Sequence, residues 1–254
     1  MVKLFIRTMT INKIKYIKSL NQTKNRKKFG EFFIEGRRLI ESSIFYNADI
    51  KNIYSTEKFI NDNISFKKLV IKHRIEIIKV SNKDFKKISN TANPSGVAAI
   101  CSIRKNKFKK NANNKMLYLS EISDPGNLGT IIRSAAYFNF VDILLSKNCV
   151  DPYNPKVLRS GMGAHFKVNL FSNINLEPLR VDYALIGADQ RGENYSDVEF
   201  PKKYILVLGN EAYGLQKEIL NILDTTVSIK KTGYGESLNV SAAGSILMNY
   251  LSEK

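Results

Sequence analysis

Residues 204–215 read YILVLGNEAYGL, and this stretch decides the fold class of the chain. Its first five residues, Tyr204–Leu208, are apolar and rich in β-forming types, which predicts a buried strand. Two glycines, Gly209 and Gly214, then enclose Glu211 in a turn. Buried strands that end in glycine-containing turns are where open α/β sheets bind ligands. The stretch therefore predicts an α/β domain with polar groups gathered at the end of a strand.

Two further turns have the same character. Residues 123–135 read SDPGNLGTIIRSA, in which a Pro-Gly reversal precedes a helix predicted from about Thr130 to Phe140. Residues 229–241 form a glycine-containing loop that runs into a last helix, predicted from about Asn239. Each turn alone is typical of an ordinary helix cap or strand exit. Further short apolar strands are predicted in this half of the chain at Met116–Leu119, Val141–Leu145, Tyr183–Gly187 and Val227–Ile229.

The positive charge of the chain lies in its N-terminal half. The formal net charge is +17, from 40 basic and 23 acidic residues among 254. Residues 1–110 hold 26 basic and 8 acidic side chains, a net of +18, and residues 111–254 hold 14 and 15, a net of −1. Lysine enrichment from an AT-rich genome would affect both halves equally, so the asymmetry favours a phosphate-binding module at the N-terminus.

Strands and helices also alternate in the basic half. A lysine-rich helical pattern over residues 11–29 precedes a short strand at Phe32–Ile34, and another strand is predicted at Val97–Ile103. Residues 104–115, RKNKFKKNANNK, offer almost nothing to bury and predict a linker. The predicted organisation is a basic α/β domain at 1–105, a linker at 106–115 and a second α/β domain at 116–254.

Several classes of protein are excluded by composition. No apolar run is long enough to cross a bilayer, and the first residues, MVKLFIRTMTINK, lack a signal peptide pattern. The two cysteines, Cys101 and Cys149, predict no disulfide framework and favour a cytoplasmic protein. The two histidines are far from each other and from the cysteines, so no metal site is predicted. The lack of a long apolar run predicts no membrane partner.

Taken in order, the three turns resemble the motifs of the SpoU (TrmH-like) family of RNA 2′-O-ribose methyltransferases in the SPOUT superfamily. The first motif is matched by Asn127-Leu128-Gly129 with Arg133, the second by residues 207–211 with Gly214-Leu215, and the third by Glu236–Ser241. The N-terminal half resembles the substrate-binding domain of many members. The matching residues there are Phe33-Ile34-Glu35-Gly36 and Pro94-Ser95-Gly96 followed by the apolar run 97–100.

The resemblance implies a fold and a reaction. The fold is α/β: a C-terminal α/β-knot domain, trefoil-knotted with a mainly parallel sheet, preceded by a small α/β domain similar to a ribosomal-protein-like sandwich. The implied cofactor is S-adenosyl-L-methionine, held largely by backbone groups of the knotted loops, and the implied state is a homodimer through the knotted domain. The implied reaction is methylation of a ribose 2′-hydroxyl in structured RNA, with 23S ribosomal RNA preferred over transfer RNA.

The resemblance also assigns site residues. The catalytic candidates are Arg133, Asn127, Glu211, Ser237 and Asn239. The candidates for binding the cofactor are Gly209, Ile229, Leu238, Ala188, Asn210 and Gly187. The basic candidates for binding RNA are Arg26, Lys27, Lys28, Arg37 and Arg38. The resemblance gives Arg133 the role of taking or sharing the hydroxyl proton. A guanidinium is always protonated, so the alternative is that Arg133 holds the adjacent phosphate or lowers the pKa of the hydroxyl. Glu211 is the only motif carboxylate suited to act as a general base or to orient Arg133.

Departures from the family pattern leave two alternatives open. Lys230 and Lys231 stand where the family has Pro-Met, and Ala212 stands where it has Gly. These changes are compatible with a catalytically weak or inactive knotted RNA-binding protein. A base-directed SPOUT methyltransferase is the other alternative.

Overall fold

The computed structural model describes residues 5–6, 9–110 and 113–253, with the backbone alone for residues 5–6. The predicted first domain includes residues 1–4 and 7–8, and the predicted linker includes residues 111–112, all of which lie outside the described residues. The last residue of the predicted second domain, Lys254, also lies outside them.

The described chain alternates strands and helices in two compact units, Met1–Lys105 with Tyr153–Phe166, and Asn106–Pro152 with Lys167–Lys254. The elements in chain order are β1 (Phe5–Ile6), α1 (Ile11–Ser19), α2 (Thr23–Phe29), β2 (Glu31–Glu35), α3 (Arg37–Phe45), β3 (Ile50–Thr56), α4 (Glu57–Asp62), α5 (Ile64–Lys72), β4 (Ile77–Val80), α6 (Asn82–Ile88), β5 (Val97–Ser102), β6 (Lys115–Leu119), α7 (Pro125–Tyr137), β7 (Asp142–Leu145), α8 (Pro155–Gly161), β8 (Asn169–Ser172), β9 (Ala184–Asn194), β10 (Tyr204–Leu208), α9 (Lys217–Leu220), β11 (Thr225–Ser228) and α10 (Val240–Ser252).

The first unit is built on a mixed five-stranded sheet with the order β1-β4-β3-β5-β2. The side chains of β2 show that this sheet has two buried faces. Phe32 and Ile34 pack into one apolar cluster, whereas Phe33, pointing to the opposite side, packs into another. Alternate residues of a strand point to opposite faces, so helices must cover this sheet on both sides.

A segment from the middle of the chain completes the core of the first unit. Leu158 of α8 and Phe166 are buried in the same cluster as Phe32, and the ring centroids of Tyr153 and Phe32 are 4.8 Å apart. By chain position this segment, Tyr153–Phe166, follows β7 and belongs to the predicted range 116–254. Its apolar side chains nevertheless stabilise the basic unit.

The second unit is built on a six-stranded sheet in which every pairing is parallel, in the order β11-β9-β10-β6-β7-β8. All five residues of β10 are buried, as expected for a strand covered on both faces. Because the strands are parallel, the loops after β6 and β10 emerge side by side at one edge. The predicted α/β class with a mainly parallel sheet is confirmed.

α10 packs against β10 at Gly244 and against α7 at Ser245. Gly244 has its Cα so near the Leu208 side chain that a Cβ would lie 2.6 Å from Leu208 Cδ1. Ser134 and Ser245 share a hydrogen bond of 2.7 Å between their hydroxyl groups. The last helix is thereby held beside the helix of the first motif.

Several predicted boundaries differ from the observed ones. α7 begins at Pro125 rather than near Thr130, because Asp124 caps it and proline suits the first helical position. The helical pattern over residues 11–29 is divided into α1 and α2 by a turn at residues 20–22. In the predicted linker, Phe108 packs edge-on against Phe171 with centroids 5.3 Å apart. No helix in the described part of the chain is long and apolar enough to span a membrane.

Candidate active site

The first and second motifs meet because β6 and β10 are neighbours in the parallel sheet. Past the ends of these strands, the backbone N–H of Ser120 donates to the carbonyl of Leu208 at 2.8 Å. The side-chain amide of Asn210 then donates to the carbonyl of Glu121 at 2.7 Å. The two loops are therefore joined by backbone and side-chain bonds at the carboxyl edge of the sheet, the expected ligand edge.

The loop of the second motif is closed on itself. Asn210 and Gly214 exchange two backbone hydrogen bonds of 2.9 and 3.0 Å. The Asn210 side-chain oxygen also accepts a bond of 2.9 Å from the N–H of Ala212. Gly209 is required because a Cβ there would lie 2.4 Å from the backbone carbon of Gly214. The predicted glycine turn is thus a tight reversal that holds Glu211 at a fixed place.

Glu211 ties the second motif to the first. Its carboxylate accepts bonds from the backbone N–H groups of Ser123 at 3.3 Å and Asp124 at 3.1 Å, and from the Asn127 amide at 3.1 Å. Partial burial acts to raise the pKa of Glu211, but these bonds and one from its own backbone outweigh burial and lower it. Glu211 is therefore a carboxylate at neutral pH and a weak proton acceptor.

Asn127 links the first motif to the third. Its amide nitrogen donates to Glu211, while its amide oxygen accepts a bond of 3.0 Å from the side chain of Asn239. Asn239 is the residue that caps α10, and it accepts from the backbone N–H of Ser241 at 2.9 Å. One chain of hydrogen bonds, Glu211–Asn127–Asn239, therefore connects all three motifs.

Arg133 and Ser237 stand apart from this chain of bonds. Arg133 lies on α7, six residues beyond Asn127, and its side chain is exposed. In the described residues neither its guanidinium nor the exposed Ser237 hydroxyl has a hydrogen-bond partner. The structure therefore does not support an Arg133–Glu211 pair, and it leaves the guanidinium available to a ligand.

Residues 229–238 are a stretch of unpaired backbone. Within the described residues, none of their N–H or C=O groups makes a hydrogen bond to the protein. Ile229 is half-buried directly after β11, and Leu238 is 52% exposed. Free backbone groups beside apolar side chains suit a ligand with polar edges and an aromatic ring, as S-adenosylmethionine has. These residues fit the predicted cofactor.

The remaining cofactor candidates, Gly187 and Ala188, lie inside β9, which continues to Asn194 rather than ending at Gly187 as predicted. Gly187 is buried within β9, and a Cβ there would lie 2.3 Å from Leu223 Cδ1. Ala188, the next residue, is half-buried. The need for glycine at 187 therefore comes from packing against Leu223.

The prediction that Arg26 binds RNA is wrong, because this residue is buried. Its side chain is only 1% exposed, and its guanidinium donates to the carbonyl of Leu20 at 2.8 Å and to Thr23 Oγ1 at 2.9 Å. It closes the turn between α1 and α2 and is not available to RNA. Its neighbours Lys27 and Lys28 are exposed.

The other two basic candidates begin α3. Arg37 is exposed but already bonded, to Glu41 at 2.7 Å, Asn63 at 3.0 Å and Ser65 at 3.2 Å. Arg38 is exposed and has no such partner among the described residues. Of the two, Arg38 is therefore the freer to bind a phosphate.

Sequence reasoning missed the parts of the site that act through the backbone. Ser123 and Asp124 supply N–H groups to Glu211, and Asp124 also caps α7 by accepting from the N–H of Asn127 at 2.8 Å. The signal was present, because an Asp-Pro pair before an apolar run marks a helix start. In the described part of the chain, no group of three or more His, Cys, Asp or Glu residues is placed to hold a metal ion.

Comparisons with known proteins identify the family of the chain. The family model of the SpoU rRNA methylases matches residues 114–249, which is more than half of the chain. The chain belongs to the SpoU rRNA methylase family. The family model of the MRM3-like substrate-binding domain matches residues 12–99. The predicted enzyme class, an RNA methyltransferase, is confirmed, and the family agrees with S-adenosylmethionine as the predicted cofactor.

Individual relatives of the family match over nearly the whole chain. The 23S rRNA (guanosine(2553)-2′-O)-methyltransferase RlmP of Bacillus subtilis is 29% identical over 246 residues, which is 94% of this chain and 95% of that protein. A solved RNA 2′-O ribose methyltransferase has a TM-score of 0.80 and 25% identity, with 98% of each chain covered. An AdoMet-bound rRNA methyltransferase from Sinorhizobium meliloti, 23% identical over 96% of each chain, has the same fold with a TM-score of 0.81.

Proposed function

We propose that this protein transfers the methyl group of S-adenosylmethionine to a ribose 2′-hydroxyl in structured ribosomal RNA, with 23S rRNA preferred over transfer RNA. The observation that carries the proposal is the bonded chain Glu211–Asn127–Asn239, which joins three loops at one edge of a parallel sheet. An exposed, unpaired guanidinium, Arg133, lies on one of the joined elements. The names of the Bacillus subtilis relative and of the solved ribose methyltransferase support the ribose as acceptor.

The residues of the site would mainly orient the reactants. Methyl transfer is an in-line displacement at carbon, and the bound cofactor supplies the activated methyl group. Positioning of the acceptor oxygen is then the main task left to the protein. The free amide and hydroxyl groups near the bonded chain, including Ser237 and the second N–H of Asn127, would hold the acceptor nucleotide.

Arg133 would act as a fixed positive charge. A guanidinium stays protonated in proteins, so it can bind a phosphate beside the acceptor ribose and stabilise charge that develops on the hydroxyl oxygen. Glu211, with its lowered pKa, is poorly suited to remove the hydroxyl proton, and its bonds support a positioning role. The proton would then leave to water or to a phosphate oxygen.

The backbone of residues 229–238 would hold the cofactor, together with Gly187 and Ala188 of β9 and the turn at Gly209-Asn210. The unpaired N–H and C=O groups of that stretch support this assignment, and so does the exposed apolar side chain of Leu238. Lys230 and Lys231 in the same stretch are exposed, and they would attract the carboxylate of the cofactor or a substrate phosphate.

We also propose the roles of the two units, the assembly state and the cellular location that the sequence predicts. The basic unit would bind RNA and the parallel-sheet unit would perform the transfer, with the division at 1–105, 106–115 and 116–254 kept as the working boundary. The trefoil knot and the homodimer through the second unit stay predictions. A cytoplasmic location is supported by Cys101 and Cys149, neither of which forms a disulfide.

The experiment that tests the proposal uses the full chain, tritiated S-adenosylmethionine and 23S rRNA or tRNA made by transcription in vitro. Labelled RNA is digested with alkali, which cannot cleave next to a 2′-O-methyl group. Label in alkali-resistant dinucleotides from 23S rRNA is the expected result. Label in mononucleotides would indicate a base-directed enzyme, and cofactor binding by calorimetry without any transfer would indicate an RNA-binding protein without catalysis. Either result would overturn the proposal.

A further inference from the structure

The basic unit contains a polar loop that is held from three sides. Residues 89–95 read SNTANPS and lead into β5, and we call them the 89–95 loop. Glu35, at the end of β2, lies next to this loop because β2 and β5 are antiparallel neighbours. The sequence motifs around Glu35-Gly36 and Pro94-Ser95-Gly96 therefore meet at one edge of the first sheet, and the methyl-transfer chemistry does not use them.

Glu35 anchors the loop through its carboxylate. One oxygen accepts from the hydroxyls of Ser89 at 2.6 Å and Thr91 at 3.0 Å, and the other accepts from the backbone N–H of Asn90 at 3.0 Å. Bonds to an ionised acceptor are stronger than neutral ones. In a region with a large excess of cations, this carboxylate is used to fix a loop rather than to pair with a lysine.

Two more contacts fix the same loop. Asn90 and Asn21 exchange a pair of side-chain hydrogen bonds, each of 2.8 Å, which ties the loop to the turn between α1 and α2. Arg159 of α8 donates to the carbonyl of Asn90 at 3.5 Å. The base of the loop is therefore bound to three separate segments of the first unit.

The tip of the loop is polar and exposed. Asn93 and Ser95 are exposed, and the Asn93 side chain makes no hydrogen bond among the described residues. The Ser95 hydroxyl donates to the carbonyl of Val97 at 3.2 Å, which leaves the Asn93 amide as the polar group available to a ligand. An exposed amide on a rigid base is a preorganised recognition element, because little entropy is lost when a ligand binds. Apart from Ala92, the exposed tip is polar, so an apolar protein partner is disfavoured.

Exposed cations lie near the anchors of the loop in sequence, and Arg159 contacts the loop directly. Lys86 is three residues before Ser89, Arg38 is three residues after Glu35, and Lys24 is three residues after Asn21. These three and Arg159 are exposed, and none of the four has an ion-pair partner in the described part of the chain. Proteins read single-stranded or looped RNA with cations that bind phosphates and polar side chains that bind base edges, and this part of the first unit offers both residue types.

We infer that the 89–95 loop reads the RNA substrate and that Glu35 is the positioning residue that presents it. The inference rests on the proposed function, since it takes RNA as the ligand. It adds the element of the basic unit that recognises RNA by base contacts, beyond phosphate binding by the exposed lysines.

The test compares Glu35→Gln with Glu31→Gln in the full chain. Glu31 is the matched control because it lies at the other end of β2, is also half-buried and also accepts a side-chain bond, from Tyr16. A glutamine at 35 places an NH₂ group against donors and should raise the Kd and KM for transcribed 23S rRNA by about tenfold. The kcat at saturating RNA and the Kd for S-adenosylmethionine should stay within about twofold. Glu35→Asp should restore part of the RNA affinity.

The tip is tested separately with Asn93→Ala. The control variant is Asn61→Ala, because Asn61 is also an exposed asparagine of the first unit and its side chain makes no hydrogen bond among the described residues. Asn93→Ala should raise the Kd for RNA about fivefold with no change of melting temperature, and Asn61→Ala should change neither. Unchanged RNA affinity in Asn93→Ala, or an equal loss in Glu31→Gln, would overturn the inference. Binding is measured without cofactor, so a wild-type chain that binds RNA but transfers no methyl group would contradict only the proposed function.

Discussion

The side-chain amide of Asn127 donates to Glu211 Oε1 over 3.1 Å and thereby joins two loops that lie 84 residues apart in sequence. The same amide accepts from Asn239, so a single residue connects the three motifs. Each partner also makes hydrogen bonds at the start of a helix. Asn239 caps α10, and Glu211 accepts from the N–H groups that precede α7. The site is therefore assembled by the same bonds that begin the two helices.

Asn127→Ala should lower methyl transfer by at least about tenfold, because both partner side chains lose a bond of roughly 1 kcal/mol. Thr130→Ala is the matched control on the same helix. Its hydroxyl donates only to the carbonyl of Gly126, at 2.9 Å, so its removal should leave activity near that of the wild type. Initial rates with tritiated cofactor measure both. Equal activities would show that the first motif is only a turn.

Arg133→Ala should abolish transfer while cofactor affinity and melting temperature stay unchanged, since its side chain is exposed and unpaired among the described residues. Arg133→Lys should retain a small fraction of the activity, because a lysine keeps the charge but not the planar fork. The control is Arg180→Ala, which removes another exposed arginine of the same unit. Single-turnover rates and calorimetry provide the readouts, and substantial turnover by Arg133→Ala would reject the assignment.

The lowered pKa of Glu211 makes part of the stability depend on pH. A carboxyl whose pKa is lower in the folded state stabilises the fold above its unfolded-state value, near 4.5, and this contribution is lost as the pH falls through the folded-state value. The difference in unfolding free energy between wild type and Glu211→Gln should therefore be largest at neutral pH and shrink in acid. Urea unfolding measures it. Glu199→Gln, at an exposed position without a recorded hydrogen bond, should show no such trend.

Substitutions of Arg26 and Lys27 should distinguish a cation that stabilises the fold from one that binds RNA. Arg26→Met should lower the free energy of unfolding by about 2 kcal/mol or more, because it leaves buried acceptors unpaired. Lys27→Ala should leave stability unchanged and weaken RNA binding. It should also reduce the slope of log K against log salt by roughly 0.7 to 1. A reduced salt slope for Arg26→Met without loss of stability would contradict the buried role.

Leu158 should stabilise the basic unit although it lies within the second half of the sequence. Leu158→Ala should destabilise the first unit by about 2–5 kcal/mol, since the side chain is 2% exposed in the core around Phe32. Hydrogen exchange of β2 and β5 should rise before that of β6 and β10. Val181→Ala, at an 85% exposed position, is the control without effect. For the same reason, deleting residues 1–110 would expose Leu158 and Phe166, so a loss of solubility is expected in that truncated chain.

The sequence predicted the strands and loops of the second unit better than the packing of the first. Tyr204–Leu208 is predicted and observed as a buried strand because a continuous apolar run has few alternatives. The hydrogen bond between Asn127 and Glu211 could be expected only from the resemblance to the SpoU family, because local periodicity does not determine the order of strands in a sheet. The burial of Arg26 could not be foreseen, because a lysine-rich helix gives no sign of which cation turns inward. The use of Tyr153–Phe166 in the first core is equally a long-range event, decided by packing against Phe32.

A map of 2′-O-methyl groups in ribosomal RNA tests whether the site formed by the three joined motifs methylates a ribose. The map would be compared between the parent strain, a strain lacking this gene, and that strain carrying either the wild-type or the Arg133→Ala chain. We predict that one 2′-O-methyl nucleotide of 23S rRNA is lost on deletion, returns with the wild type and stays absent with Arg133→Ala. An unchanged map of ribose methylation in the deletion strain would contradict ribose methylation by this protein. Full restoration by Arg133→Ala would contradict the role of Arg133.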